Sequence, residues 1–431
     1  MASEPQTSSD REARSGVTTT PARGPDVTAY AWLVFALTFG LLISDYMARQ
    51  VLSAVFPLLK TEWHLSDSQL GLLSGVVAIT VGILTCPVSL LADRVGRVRS
   101  IAAMAILWSL ATLLCGLAAS YHQMLAARVL VGVGEAAYGS VGIAVIISVF
   151  PERLRSTLTG AFMAGGLAGQ VLGVAVGGAV AATHGWRTAF MAIGVAGLAL
   201  ALIYPFVVTE ARLRGAAEAE RSKFSFSNLG RLFSGRALNC AYLGSGAQLF
   251  VAGALPAWLP TYFVRYYGLP LKPATSLAAI FLALGGAGMI VCGMISDKYV
   301  SGTRQRALLS AAYCLGCAGL LTIAFAIGPG SVQLALLGLG MFLAAASAGP
   351  SGAIVAAMTP AALHGTAFAV LTLANNAFGL APGPIATGWM ADQVGLLGAM
   401  RLLPFASLLA ALVFIVSTRS TRTAIGATRP A

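Results

Sequence analysis

Charged residues are scarce in this chain of 431 residues. They make up 10% of the sequence, whereas hydrophobic residues make up 57%. A soluble protein of this length could not cover its surface with so few charges. Apolar segments recur along the chain, and they reach the roughly twenty residues that a helix needs to cross a bilayer. We therefore expect an all-α polytopic membrane protein.

Signatures of catalysis are absent as well. The sequence has no phosphate-binding P-loop, no zinc-ligand spacing, no nucleophile elbow and no Ser-His-Asp arrangement. We expect that the protein is not an enzyme, holds no cofactor or metal and does not use ATP. Cys314 and Cys317 have the CxxC spacing of redox and metal sites, but they lie inside an apolar run, so packing is the favoured interpretation.

The hydrophilic parts of the chain indicate its orientation. Segment 1–27 is polar and has no apolar secretory core, so it is expected to form a disordered cytoplasmic tail. The net charge of +12 does not indicate nucleic-acid binding, because the bases gather in particular loops. Under the positive-inside rule these loops, both termini and the stretch 210–236 are cytoplasmic. The expected location is the plasma membrane, and in a bacterium the inner membrane.

The apolar pattern predicts twelve membrane spans. They cover residues 30–58, 69–92, 101–119, 124–150, 158–182, 188–208, 238–264, 274–296, 307–327, 332–357, 366–390 and 396–417. The expected domains are an N-terminal half (28–209), a cytoplasmic linker (210–236), a C-terminal half (237–418) and a cytoplasmic tail (419–431).

Three features repeat between the halves. An acid ends span two at Asp93 and, 204 residues later, span eight at Asp297. A proline precedes span five at Pro151 and, 209 residues later, span eleven at Pro360. Glycines recur in spans five and eleven about 210 residues apart. Repetition in register predicts two pseudo-symmetric six-helix halves.

The motifs carry a family resemblance. The loop after span two, Asp93-Arg94-Val-Gly96-Arg97, resembles the signature of the major facilitator superfamily. That resemblance implies its fold, a central cavity and rocking alternating access. The chain further resembles the spinster-like group through Arg128-Val-Leu-Val-Gly-Val-Gly-Glu135-Ala, Phe150-Pro-Glu-Arg, Gly185-Trp186-Arg187 and Asn375-Asn376-Ala-Phe-Gly379-Leu. Asp45-Tyr46-Met-Ala48-Arg49 is similar to the first-span motif of organic-anion transporters, with Ala48 at the usual acid position.

Charged residues at the cytoplasmic ends of both halves are expected to form a gate. They are Asp93, Arg94, Arg97, Arg155, Asp297 and Lys298. An acid at a helix end beside clustered bases can clasp the halves together, and breaking the clasp would favour the inward-open state. Positive-inside topology alone is the alternative.

Four ionisable residues lie inside spans one and four, where a charge is costly unless it faces protein or a cavity. Arg128 and Glu135 are seven residues apart and share a helix face. Asp45 and Arg49 are four apart and do the same. We expect Glu135 and Asp45 to carry a proton, with Arg49 and Arg128 as charge partners that attract an anion. A fixed structural ion-pair network is the alternative.

Seven uncharged side chains lie in spans that line the superfamily's cavity and are candidate substrate ligands. They are Tyr46, Tyr138, Gln248, Trp258, Tyr262, Asn375 and Asn376. Adjacent amides inside a span are expensive unless they are used, so Asn375 and Asn376 are the strongest candidates. Hydrogen bonds to neighbouring helices are the alternative for each.

These observations predict a secondary active transporter. We expect proton-coupled symport of a small organic anion by a monomer whose partners are its substrate, protons and the lipid bilayer. Proton-coupled export of an amphipathic, lipid-like or drug-like molecule is the alternative within the same fold. A ligand receptor that does not transport is the alternative of another class.

Overall fold

The computed structural model describes residues 29–210, 235–360 and 363–426, and the regular elements in these ranges are all helices. The N-terminal half contains α1 (Ala29–Trp63), α2 (Asp67–Val95), α3 (Arg97–Leu117), α4 (Tyr121–Glu135), α5 (Tyr138–Val149), α6 (Glu152–His184) and α7 (Trp186–Val207). The C-terminal half contains α8 (Arg236–Tyr267), α9 (Leu271–Tyr299), α10 (Thr303–Ala326), α11 (Ser331–Ala344), α12 (Ala348–Met358), α13 (His364–Asn375), a π-helix (Asn376–Leu380) and α14 (Pro382–Gly426). The expected N-terminal tail, most of the linker and residues 427–431 lie outside the described residues, whereas residues 419–426 of the expected C-terminal tail continue α14.

The predicted membrane spans are present as helices. Eleven helical stretches of the described residues are long and apolar enough to cross a membrane. The last of them, 366–418, holds two spans, because Gly395 leaves helical geometry at a φ of 77°. The prediction of an all-helical fold with about twelve spans is confirmed.

Spans four and ten, predicted as continuous, are each broken near their middle. α4 ends at Glu135 and α5 begins at Tyr138, while α11 ends at Ala344 and α12 begins at Ala348. The two helix ends are 209 residues apart, the same offset as in the sequence repeats. At the second break, Gln248 Nε2 donates to the freed carbonyl of Ala344 at 3.0 Å. Lipid could not satisfy this carbonyl, so the break requires a partner from the protein.

In each half the first span packs closely against the fifth. A Cβ added at Gly169 on α6 would lie 2.7 Å from the Ile43 carbonyl oxygen of α1. A Cβ added at Gly383 on α14 would lie 2.4 Å from the Phe250 carbonyl oxygen of α8. Small residues permit such backbone contact between membrane helices. The repeated glycines of spans five and eleven therefore perform the same packing in both halves.

The buried core joins the two halves at one end of the molecule. The largest cluster includes Phe56 of α1 and Trp258 of α8, whose ring centroids lie 5.2 Å apart. The other clusters of the described residues stay within one half, around Trp108 in the first and Tyr242 in the second. We call the end where the halves meet the closed face. The other end, which carries the basic loops at 94–99, 151–155 and 298–306, is the basic face.

We predict that Gly169→Ala lowers the midpoint of thermal unfolding in detergent, because α1 must move away from α6 at a cost of about 1–3 kcal/mol. Gly160→Ala on the same helix is the matched control, since a Cβ there meets no atom within 4 Å. Alanine also favours a helix over glycine, so the control midpoint should stay the same or rise. Equal midpoints for the two variants would contradict the packing assignment.

Candidate functional site

A cavity of about 750 Å³ lies between the halves. It extends from Arg49 and Leu380, near the middle of the helices, to Arg97 and Phe368 near the basic face. The charged residues among its described lining are Asp45, Arg49, Arg97 and Glu135, and the polar residues contributed by the C-terminal half are Thr366, Thr372, Asn375 and Asn376. The cavity therefore has one charged wall and one neutral polar wall.

An ion pair between α1 and α4 occupies the charged wall. Arg49 donates to Glu135 Oε2 from Nε at 3.0 Å and from Nη2 at 2.5 Å. Glu135 is the last residue of α4, so the carboxylate sits at the helix break. Its Oε1 is buried and accepts from no donor among the described residues, while the Asp45 carboxyl group lies within hydrogen-bond reach of the Glu135 carboxyl group. The predicted cross-pair between spans one and four is thus present.

Asp45 completes this cluster one turn before Arg49. It is 4% exposed, and its carboxyl interacts electrostatically with both Glu135 and Arg49. Asp45 Oδ1 is buried and accepts from no donor among the described residues. One guanidinium therefore faces two carboxyl groups, so the acidic groups are in excess within the cluster of Asp45, Arg49 and Glu135.

Arg128 is not among the described residues that line the cavity, so its attraction of an anion stays a prediction. It is fully buried. Its Nη1 and Nη2 donate to the carbonyls of Ala48 and Arg49 at 3.0 and 3.1 Å, and its Nε donates to the carbonyl of Leu73 at 3.3 Å. The guanidinium thus connects α4 to the main chains of α1 and α2 and supports the backbone of Arg49.

Three of the seven candidate substrate ligands line the cavity: Tyr46, Asn375 and Asn376. The Tyr46 ring centroid lies 5.4 Å from Cζ of Arg49. The amides stand where α13 passes into the π-helix, a geometry often found at functional sites. The Oδ1 atoms of Asn375 and Asn376 are both buried and have no hydrogen-bond partner among the described residues.

The other four candidates are buried and are not among the described residues that line the cavity, so their binding of substrate stays a prediction. Tyr138 donates to a main-chain carbonyl of α1 at 2.5 Å, and Trp258 donates to one of α14 at 3.1 Å. Tyr262 accepts from the Gln333 amide at 3.0 Å. Gln248 supports the break in span ten. Neighbouring helices use these polar groups, and the sequence could not show which side of each helix faces water.

The sequence analysis missed five cavity hydroxyls. Thr366 and Thr372 belong to the C-terminal half, and the three of the N-terminal half are Thr85 and Ser89 on α2 and Ser140 on α5. The structure gives the hydrogen bonds of these last three. Each donates to a carbonyl of its own chain segment at 2.6 to 2.9 Å, which leaves its oxygen able to accept. The four-residue spacing of Thr85 and Ser89 was the only signal. Such hydroxyls commonly bond their own helix, so the spacing does not identify a cavity.

The predicted gate residues of the N-terminal half bond within that half. Arg97 Nη1 donates to a carbonyl of α5 at 3.2 Å, and Arg155 Nε donates to the Phe150 carbonyl at 3.3 Å. Arg94 is exposed. The side chain of Asp93 lies outside the described part of the chain, so the clasp around it stays a prediction.

The gate residues of the C-terminal half also make their recorded contacts within that half. Asp297 lies 3.7 Å from Arg306. The Lys298 ammonium lies 5.3 Å from the centroid of the Tyr299 ring. Among the described side chains, the ion pairs at the basic face do not connect the two halves. This agrees with a cavity that reaches this face.

Charged groups instead join the halves at the closed face. Asp67, at the start of α2, accepts from Lys60 at 2.6 Å and from Arg265 of α8 at 2.6 and 2.8 Å. Asp392 of α14 accepts from the main-chain amides of Asp67 and Ser68 at 2.8 and 2.9 Å, and from the Ser68 hydroxyl. A carboxylate from each half is therefore bound by the other half. The sequence analysis did not identify these pairs, because the partners are far apart in the chain.

The geometry agrees with the comparisons with known proteins. The family model of the Major Facilitator Superfamily matches residues 38–382. The chain belongs to this superfamily. A bacterial homolog of the human lysosomal transporter spinster, solved in an inward-facing and occupied conformation, superposes with a TM-score of 0.82 at 20% identity, over 92% of this chain and 98% of that chain. The major facilitator fold is thereby confirmed. The resemblance to spinster proteins is confirmed by 30% identity to the spinster homolog 1 of Xenopus tropicalis over 54% of this chain and 45% of that protein.

Curated relatives in the superfamily are transporters. The chain is 29% identical to a probable L-galactonate transporter of Escherichia coli over 64% of its own length and 65% of that protein's length. It is 27% identical to a gallate transporter of Pseudomonas putida over 73% and 75% of the two lengths. The protein is a multi-pass membrane transporter of small molecules and, as predicted, not an enzyme.

We predict that Asp67→Asn loosens the closed face. The reporter is Ser53→Cys in a variant without native cysteines, because Ser53 on α1 is buried between the cavity and the closed face. Loss of charge-assisted hydrogen bonds worth about 1.5–3 kcal/mol should speed its labelling by a membrane-impermeant maleimide about tenfold.

The control for this experiment is Glu62→Gln. Glu62 pairs with Arg187 at 2.6 Å on the same side of the molecule but within one half, so the labelling rate should not change. Equal labelling rates in Asp67→Asn and the parent protein would contradict the assignment of Asp67 to closure.

Proposed function

We propose that this transporter is a proton-coupled symporter of a small organic anion. The observation that carries the proposal is the position of Arg49. Its side chain is 22% exposed at the cavity wall, and its two recorded hydrogen bonds go to a single oxygen of Glu135. A guanidinium has five donors in a planar fork that matches a carboxylate. Arg49 therefore has donors to offer a ligand without leaving its place.

Competition for Arg49 provides the coupling. An ionised Glu135 holds Arg49, and an incoming carboxylate is repelled by both Glu135 and Asp45. A proton on either acid removes one of these negative charges and weakens the electrostatic attraction between the acids and the Arg49 guanidinium. One proton and one monoanion then bind together and leave the net charge of the wall unchanged. The loaded and empty cavities carry equal charge, so neither conformational step buries an additional net charge.

The neutral wall supports a substrate that carries hydroxyl groups. Asn375 and Asn376 line the cavity, and their buried amide oxygens have no hydrogen-bond partner among the described residues. Across the cavity, the hydroxyls of Thr85, Ser89 and Ser140 add acceptors. A ligand with a carboxylate at Arg49 and hydroxyls towards the amides would satisfy both walls. L-galactonate and gallate, named for the relatives, are carboxylates with several hydroxyl groups, and they are the first probes to use.

We propose that the basic face is cytoplasmic, as the positive-inside rule requires. The cavity then opens inward, and the pairs of Asp67 and Asp392 close the outer side. Rocking to the outward-open state separates these pairs and brings the basic-face gate together. In that state the proposed clasp forms among Asp93, Arg94, Arg97, Arg155, Asp297 and Lys298.

Export of an amphipathic molecule and ligand binding without transport are the two alternative functions of the same cavity. Export of an amphipathic molecule would place an apolar tail against the charged wall, which the four charged lining residues oppose. A receptor would bind ligand without moving it. Counterflow of labelled galactonate or gallate in proteoliposomes separates a transporter of these anions from both alternatives.

We predict that Glu135→Gln abolishes accumulation driven by a pH gradient but retains exchange of labelled for unlabelled galactonate or gallate. A neutral amide mimics the protonated acid, so Arg49 stays available while proton release is lost. Glu152→Gln, an exposed residue at the start of α6, is the control and should leave both activities intact. Full gradient-driven accumulation in Glu135→Gln would reject this residue as the proton carrier, and the same assay on Asp45→Asn would then test Asp45.

We predict that Arg49→Ala weakens binding of galactonate or gallate about tenfold or more, because a charge-assisted hydrogen bond contributes about 1.5–3 kcal/mol. Calorimetry on the purified protein measures this loss, and the exposed Arg304 provides the Arg304→Ala control. A ligand that binds both variants equally well would show that its carboxylate is not held by Arg49.

A further inference from the structure

A second cavity, of about 680 Å³, lies between α2 on one side and the π-helix and α14 on the other. We call it the lateral groove. Its α2 wall includes Ser68, Leu72, Ile79 and Ile83, and its other wall includes Leu373, Ala377, Ala386 and Trp389. Apart from Ser68 and Asn376, every described lining residue is nonpolar. Nothing in these walls suits an anion or a proton, so the lateral groove has a different ligand from the central cavity.

The lateral groove opens on the surface that faces lipid. Ile83 is 65% exposed and Trp389 is 60% exposed, although both belong to membrane-spanning helices. From Ser68 to Ile83 the groove follows α2 for about 22 Å at the rise of an α-helix. One leaflet contributes about 15 Å of hydrocarbon. The groove therefore runs from the lipid headgroup level at the closed face past the middle of the membrane, with Trp389 at the level where indole rings favour the interface.

The back of the lateral groove is shut. A Cβ added at Gly71 would lie 2.5 Å from the Pro384 carbonyl oxygen, so α2 and α14 touch directly behind it. Towards the middle of the membrane, Asn376 lines both the lateral groove and the central cavity, so the two cavities meet at this residue. The lateral groove is thus a long, mostly apolar slot between α2 and α14 that is open towards the hydrocarbon.

We propose that the lateral groove binds one acyl chain of a membrane lipid from the leaflet at the closed face. An acyl chain in the slot contacts protein on three sides. The sum of many small dispersion contacts gives it a longer residence time than a chain on a convex helix surface has. α2 belongs to the N-terminal half and α14 to the C-terminal half. The chain therefore braces the seam that closes this face, and opening of the face separates the two walls and releases the lipid.

Native mass spectrometry of the full-length protein in detergent tests this proposal, with palmitoyl-oleoyl phosphatidylglycerol and dioctanoyl phosphatidylglycerol as probes. We expect the parent protein to retain a single long-chain lipid at collision energies that strip the short-chain lipid. Ala386→Phe fills the groove and should lower the fraction of protein that retains the long-chain lipid about tenfold. Each methylene of the acyl chain that the new side chain excludes from the groove loses its buried contact. Ala377→Phe fills the same groove from the π-helix and replaces Ala386→Phe if that variant does not fold.

The control is Ala196→Phe on α7, an exposed position of a membrane-spanning helix outside the groove. It makes the same change in volume and should retain the lipid like the parent protein. Equal retention in the groove variants and the control would overturn the proposal, because the lipid would then be bound elsewhere. Equal retention of long- and short-chain probes would overturn it too, since the headgroup and not the chain would be held.

Discussion

A carboxylate inside a bilayer needs a cation within hydrogen-bond reach, and the bond between Glu135 and Arg49 meets this need. Its geometry depends on two further features. α4 stops at Glu135, so the carboxylate lies at a helix break. Arg128 binds the main-chain carbonyl of Arg49 itself, so one buried arginine positions the backbone of the other. The ion pair, the break and the α1–α4 contact therefore form one unit, and removing any part leaves a buried charge or carbonyl unsatisfied.

The two halves share a backbone plan but use it with different chemistry. Each breaks its fourth span and packs its first span closely against its fifth. In the N-terminal half the break is met by a charged pair, whereas in the C-terminal half it is met by the neutral amide of Gln248. The repeat thus preserves the places where polar groups are tolerated, and only one half places charge there.

Features that depend on composition and periodicity could be predicted from the sequence. The spans, the repeat and the pairing of spans one and four follow from apolar length, fixed offsets and the cost of unpaired charge. The direction of individual side chains could not be predicted. Arg128 and Glu135 share a helix face, yet Arg128 turns to main-chain carbonyls because α1 and α2 approach there. Trp258 and Tyr262 lie in a predicted cavity-lining span, but at its closed end. Whether this end is buried or open to water depends on the conformational state, which the sequence does not give.

The confinement of the cavity's charges to one wall bears on the membrane potential. A potential does work on charge that moves across it, about 2.3 kcal/mol per elementary charge at 100 mV. The C-terminal wall, lined by hydroxyls and amides, can rotate past a bound molecule without moving charge through the field. The N-terminal wall carries Asp45, Arg49 and Glu135 with it. Among the residues that line the cavity, the electric field of the membrane therefore acts on those of the N-terminal half and on any charge bound to them.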